Sequence, residues 1–283
     1  MFITNCSLLI ANWIIFAAVR RRIIVRVKDV LTTLERFAPL PLQDDFDNAG
    51  LQIGVTDGDS VSGVLLCLDI TPRVLREAVE EGCSMVVSHH PLLFKPLRRL
   101  TGATMVEKCV RIAVENNLTV YAAHTNLDNA RGGVNFEIAR RLGLHNVRFL
   151  REQPSGQGGS GVIGELEEPV EAARFLAQVK KEFAAGAMAH NELLRRPISR
   201  VALCGGAGDF LLDDALAQGA DCFLTGEMHY HVYFGHEQQI QIGVFGHYES
   251  EQYTINLLEQ ILREGLPELR VIRTSVNTNP IEY

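Results

Sequence analysis
Short apolar runs alternate with helical segments from Val27 onward, and that alternation confines the chain to a narrow set of folds. After a first helix over Val30 to Phe37, Val61 to Ile70 reads as a buried strand. Pro72 to Glu81 reads as a helix with proline in its first turn and Gly82 as its stop. A strand to Ser88 follows. Thr104 to Asn117 then carries Met105, Val106, Cys109, Ile112 and Ala113 at helical spacing. A strand to Ala123 and a helix from Val134 to Leu142 come next. The later part repeats the theme: a strand at Val162 to Leu166 and a helix at Val170 to Ala184. Strand, helix and strand recur from Val201, ending in a helix over Glu251 to Arg263 and a strand over Leu269 to Ser275. Strands separated by helices in this way argue for βαβ units and a largely parallel sheet. The expected class is α/β, with two similar layers of sheets flanked by helices.

The two layers are suggested by an internal repeat at an offset of 137 residues. Val64, Leu66, Cys67, Leu75, Ala78 and Gly82 recur as Val201, Leu203, Cys204, Leu212, Ala215 and Gly219, six identities in 27 positions. Val86 to His90 then falls on Phe223 to Glu227. Residues 154–161, Pro-Ser-Gly-Gln-Gly-Gly-Ser-Gly, are the one stretch with linker composition. The expected division is a first half over 27–150, a linker over 151–161 and a second half over 162–283.

Polar residues gather at the ends of the apolar runs. Cys83 to Ser88 runs into His89-His90-Pro91, and Leu118 to Ala123 into His124 and Asp128. Ala220 to Gly226 runs into Glu227, His229 and His231, and Ile240 to Gly246 into His247 and Glu251. Imidazoles and carboxylates at the carboxyl ends of strands are how α/β proteins assemble metal sites. In a regular strand His89 and His90 would point to opposite faces. At a strand end broken by Pro91 they can serve two adjacent ions instead. Read alone, the doublet fits one core and one exposed histidine equally well. His247 and Glu251, four apart at the start of a helix, share one face. Asp128 reads either as a ligand or as a turn aspartate, and Glu227 and His229 as ligands, orienting groups or proton carriers. Mixed nitrogen and oxygen donors suit zinc, manganese, iron, cobalt or nickel. Two such ions, about 3.5–4 Å apart, activate water and polarise a substrate oxygen.

Composition narrows the partners. The chain is 47% apolar and 22% charged with a net charge of −7, which gives no general reason to bind nucleic acid. Lys95, Arg98 and Arg99 are the nearest candidates for a basic patch. The six cysteines form no C-x-x-C pair and suit buried free thiols in the cytoplasm. The first 19 residues lack charge and precede Arg20-Arg21-Arg22. Residues 1–26 read as an extension or a weak membrane tether, and no membrane is expected for the remainder.

Four segments carry a family resemblance: Ser88-His89-His90-Pro91, Ala123 to Asp128, Thr225 to His229 and Gly246 to Glu251. Together with Asp47 to Gly54 and Thr278-Asn279-Pro280-Ile281, they resemble the NIF-three-like family over Val27 to Tyr283. These are dinuclear-metal hexameric proteins, often named as type 2 GTP cyclohydrolase I, and this chain is similar to their short form. The resemblance implies His89 and Asp128 on one metal, His90 and His247 on the other, and Glu251 bridging. It also implies a toroidal homohexamer built from trimers. Phe46 stands where many members carry tryptophan.

The expected function is that of a cytoplasmic dimetal hydrolase acting through a metal-activated water, with opening of the imidazole ring of GTP as the reaction the family name suggests. His124, or His229 with Glu227, is expected to carry protons. No P-loop pattern is present, and the Gly205-Gly206-Ala207-Gly208 turn suits either phosphate approach or a tight turn. A non-enzymatic metal-binding scaffold, for metal delivery or regulation, is the alternative.

Overall fold
The computed structural model describes residues 24–54 and 60–283. Cys6 and residues 1–23 of the expected extension lie outside them. Among the described residues, no helix is long and apolar enough to cross a membrane.

Two sheets form the frame. The first has the order β1 (Gly50–Ile53), β4 (Thr119–Ala122), β3 (Met85–Ser88), β2 (Val64–Cys67) and β11 (Val271–Arg273). All neighbours are parallel except β1 on the edge. The second has the order β5 (His145–Glu152), β6 (Gly159–Val170), β8 (Ile198–Ala207), β9 (Cys222–Glu227), β10 (Gln241–Val244) and β7 (Ala189–His190). Only β8, β9 and β10 run parallel, so this sheet is more mixed than the sequence suggests.

The central strands are apolar throughout because both their faces are covered. Leu65, Cys67, Val86 and Val120 pack outward against α2 (Pro72–Glu80) and α3 (Met105–Glu115). Thr71 starts α2, its hydroxyl accepting from Val74 N at 3.3 Å with Pro72 behind it. The alternate residues Val64, Leu66, Met85 and Val87 share one core with Val201, Leu203 and Leu224 of the second sheet. Between the sheets lie α1 (Val27–Phe37), α5 (Val134–Arg141), α6 (Ala172–Glu182) and α9 (Thr254–Gly265), each of which buries side chains in that core. The outer face of the second sheet packs Ala202, Phe223 and Ile242 on α7 (Leu212–Ala217).

The 137-residue repeat survives in the strand pairing. Val64 pairs with Met85 and Cys67 with Ser88; at the same offset Val201 pairs with Cys222 and Cys204 with Thr225. Both βαβ units thus keep one register.

The expected linear division does not hold. Residues 151–161 are the two strand ends and the turn of the β5–β6 hairpin, in which Phe149 pairs with Val162 and Glu152 with Gly159. Their glycines make the turn rather than a flexible junction. The chain then returns to the first layer: β11 pairs with β2, and α9 packs on α1. A parallel pair needs a long crossover, and the whole second layer lies within this one. The five described cysteines are free and buried, as the absence of pairing motifs implies.

Candidate metal centre
The histidine doublet leaves the sheet at the end of β3. His89 N donates to Cys67 O at 3.1 Å, and His90 N to Leu68 O at 3.0 Å. Successive N–H groups of a regular strand would go to opposite neighbours; here both go to one, so the side-chain alternation is broken. Both rings turn to one carboxylate, with centroids 4.9 Å apart.

That carboxylate is Glu251, buried at 4% exposure. Its Oε2 lies 2.9 Å from His90 Nε2, 3.1 Å from His247 Nε2 and 3.8 Å from His89 Nε2. Asp128 Oδ1 stands 3.6 Å from His89 Nε2. His247 and Glu251 open and close α8 (His247–Glu251), so their i,i+4 spacing does place them on one face. His89, His90 and Glu251 could hold a metal ion: one donor atom from each lies within 4.8 Å of the others.

Every imidazole of the cluster is held from behind. His89 Nδ1 donates to Ala123 O at 2.7 Å; His90 Nδ1 meets Asp69 Oδ1 at 2.7 Å. His124 Nδ1 meets Asp47 Oδ1 at 2.7 Å, and His247 Nδ1 meets Glu227 Oε1 at 2.9 Å. An oxygen on Nδ1 fixes the ring and reserves Nε2 for a ligand, the arrangement usual for metal-binding histidines. In the fully buried His89, Nε2 has no hydrogen-bond partner. A buried nitrogen lone pair without a partner is costly unless a cation takes it.

The charges are strongly coupled. Burial opposes a charge on Glu251, yet the three imidazoles hold its carboxyl well below the usual range. Burial alone would lower His90, but Asp69 and Glu251 raise it to about 10; His247 is likewise raised against burial to about 9 by Glu251. Asp128 is pushed up to about 6, mainly by burial. For Asp47 the burial effect is overcome by bonds from His124 and Thr125, which bring it to about 2.

Two strand ends, one in each layer, are built alike. β4 leads into His124 and, four residues on, Asp128; β10 leads into His247 and, four residues on, Glu251. Asp47 Oδ2 accepts from Thr125 N at 3.0 Å and so starts the turn that carries Asp128. In the second layer glycine permits the approach. Gly206 has φ +60°, and a Cβ there would lie 2.4 Å from Glu251 Oε1. A Cβ on Gly226 would meet Gly206 O at 2.7 Å and His247 Cα at 2.9 Å.

The expected metal ligands His89, His90, Asp128, His247 and Glu251 are therefore brought together, and His124 joins them with its ring 5.4 Å from that of His89. Glu227 acts on the cluster through His247. His229, an expected proton carrier, does not join: its ring is 89% exposed and is bound to Asp209 Oδ2 at 2.5 Å. It precedes the 230–233 turn after β9, none of whose residues is buried. Sequence reading missed Asp69 and gave Asp47 no role. The signal for Asp69 was a carboxylate at the end of the Val61 to Ile70 run, another polar strand end. Thr278 Oγ1 in turn donates to Asp69 Oδ2 at 2.7 Å, which gives the Thr278-Asn279-Pro280 segment a function. Changing Asp69 to Asn should weaken metal binding by roughly 10–100-fold, measured by chelator competition, because the His90 ring loses its anionic anchor. An unchanged affinity would remove Asp69 from this role.

A cleft of about 470 Å³ opens beside the cluster, with both layers contributing walls. His90, His124, Asp128, His247 and Glu251 line it.

The family model described as Duf34/NIF3 (NGG1p interacting factor 3) matches residues 25–280. A Clostridium acetobutylicum protein named "GTP cyclohydrolase 1 type 2 homolog" is 31% identical over 251 residues, covering 87% of this chain and 93% of that protein. The Drosophila melanogaster "NIF3-like protein 1" is 29% identical over 258 residues, covering 89% of this chain and 87% of its own. A Staphylococcus aureus crystal structure superposes with a TM-score of 0.83 at 26% identity, over 92% of this chain and 99% of that one.

Proposed function
This chain belongs to the Duf34/NIF3 family, and from that premise we propose that it is a dinuclear divalent-metal hydrolase. The observation that carries the reading is the partnerless, fully buried His89 Nε2 beside a Glu251 oxygen shared with His90 and His247. The donor set fits zinc, iron, manganese, cobalt or nickel, with nitrogen and oxygen ligands and no thiolate. His89 and Asp128 would hold one ion, His90 and His247 the other, with Glu251 between them. When bound, such ions supply Lewis acidity and an acidified water. The chain's own residues do the rest. Asp69, Glu227 and the Ala123 carbonyl hold three rings by Nδ1. His124, anchored by Asp47 and lining the cleft, is the group we assign to proton transfer. The name carried by the Clostridium acetobutylicum relative directs the reading towards hydrolytic opening of a purine-type ring. The assembly we propose is a homohexamer, which light scattering would report as six chain masses; a monomer would refute it.

Metal titration of the metal-free protein tests the centre. Two ions per chain are expected, and fewer than about one would refute the dinuclear reading. His90 and His247, raised to about 10 and about 9, carry protons at neutral pH without metal, and a metal must displace them. Binding should therefore release about two protons per chain near pH 7. Apparent affinity should rise with pH and level off above about 10, and fall as the pH is lowered. Proton uptake, or none, would contradict this.

A further inference from the structure
We propose that the cleft takes an uncharged, planar nitrogen heterocycle that presents N–H donors, and that it disfavours polyphosphates. This rests on the metal reading above and specifies the ligand. Its basis is what else lines the cleft.

Among the described residues, the lining contains no lysine or arginine. It does contain four carboxylates, those of Asp44, Asp69, Asp128 and Glu251. With neutral imidazoles, four carboxylates cancel the charge of two divalent ions, leaving no net positive field for a triphosphate. The nearby cations are turned elsewhere. Arg151, with its guanidinium carbon 5.5 Å from the Phe210 ring centre, is bound to Asp214 and to the Phe210 carbonyl. Lys95, Arg98 and Arg99 are exposed on the loop before α3 and do not line the cleft.

The walls are aromatic and open. Phe46 and Phe94 pack edge to face with centroids 6.3 Å apart, and Phe94 stands 6.2 Å from the His124 ring. Phe210 adds a third ring from the second layer, and all three are exposed. Exposed aromatic faces around a polar centre provide stacking surface for a flat ring. Asp44 supplies an edge contact: its Oδ1 accepts from Asn129 Nδ2 at 3.1 Å, and no described residue donates to its Oδ2. A carboxylate so placed accepts N–H groups from a base-like edge. The volume, about 470 Å³, lies within the range of small-molecule sites.

Guanosine is a suitable probe, since its base edge carries adjacent N–H donors, and guanosine triphosphate is the contrast. Binding of each to metal-loaded protein is measured by calorimetry, with metal content counted before and after. The expected result is guanosine binding at least about tenfold tighter than the triphosphate, with Asp44→Asn weakening it about tenfold at unchanged metal content. Phe210→Ala, at an exposed ring, should weaken guanosine similarly and guards against a misfolded Asp44 variant. If the triphosphate binds as tightly with metals retained, or if neither probe binds, this inference is overturned while the metal centre stands. If the protein holds no metal, both fall.

Discussion

Glu251→Gln should lower metal affinity by more than about 100-fold at each of the two proposed positions. The amide keeps the shape of the side chain and removes the charge. In the native site one oxygen of Glu251 lies within 2.9 to 3.8 Å of three imidazole nitrogens. Among the described residues no other carboxylate is placed to replace it, since Asp128 reaches only His89 of the three. The same variant should bring His90 and His247 back down, because Glu251 is a main cause of their elevation. Metal counting and NMR titration of the imidazoles read the two effects separately. Full metal content in the variant would show that Glu251 is not the bridge.

Gly226→Ala should lower stability by about 1–3 kcal/mol and weaken metal binding as well. The added Cβ would meet the Gly206 oxygen at 2.7 Å, Ser250 Oγ at 2.8 Å and His247 Cα at 2.9 Å. Two of these three are backbone atoms, so side-chain rotation offers no relief. Ser250 Oγ also accepts from Gly206 N at 3.0 Å and donates to His247 O at 2.8 Å, so it ties β8 to α8. Making room must shift α8, and with it both His247 and Glu251. Thermal unfolding of the metal-free variant isolates the packing effect, and chelator competition measures the displacement. A stable variant with native metal affinity would mean that this contact does not set the ligand positions.

The βαβ units were legible because each central strand is buried on both faces and so reads as a continuous apolar run. Val64 to Cys67 and Met85 to Ser88 are examples. The strands that escaped are those lacking such a run. β5 alternates exposed and partly buried residues from His145 to Arg148, and β1 is a short antiparallel edge. Turn composition misled at residues 151–161, because glycine serves a hairpin as readily as a linker. The expected helix from Glu251 is two helices, with Glu251 closing the first.

The sequence by itself determined which donor types are available to the candidate centre. Residue types at strand ends, a doublet before proline and two His-x-x-x-acid pairs supplied the candidates, and the family resemblance implied which five of them would be ligands. Tertiary structure alone decided the roles around them. Asp69 and Asp47 act across long chain separations, on His90 and His124 respectively. His229, two residues from Glu227, is turned to solvent while Glu227 holds His247. Each of these hydrogen bonds joins segments at neighbouring strands of one sheet, Asp69 to His90 and Asp47 to His124 in the first and Glu227 to His247 in the second. They therefore depend on which strands lie side by side, and no local spacing encodes that. The return of β11 to the first sheet, which brings Thr278 to Asp69, depends on it as well.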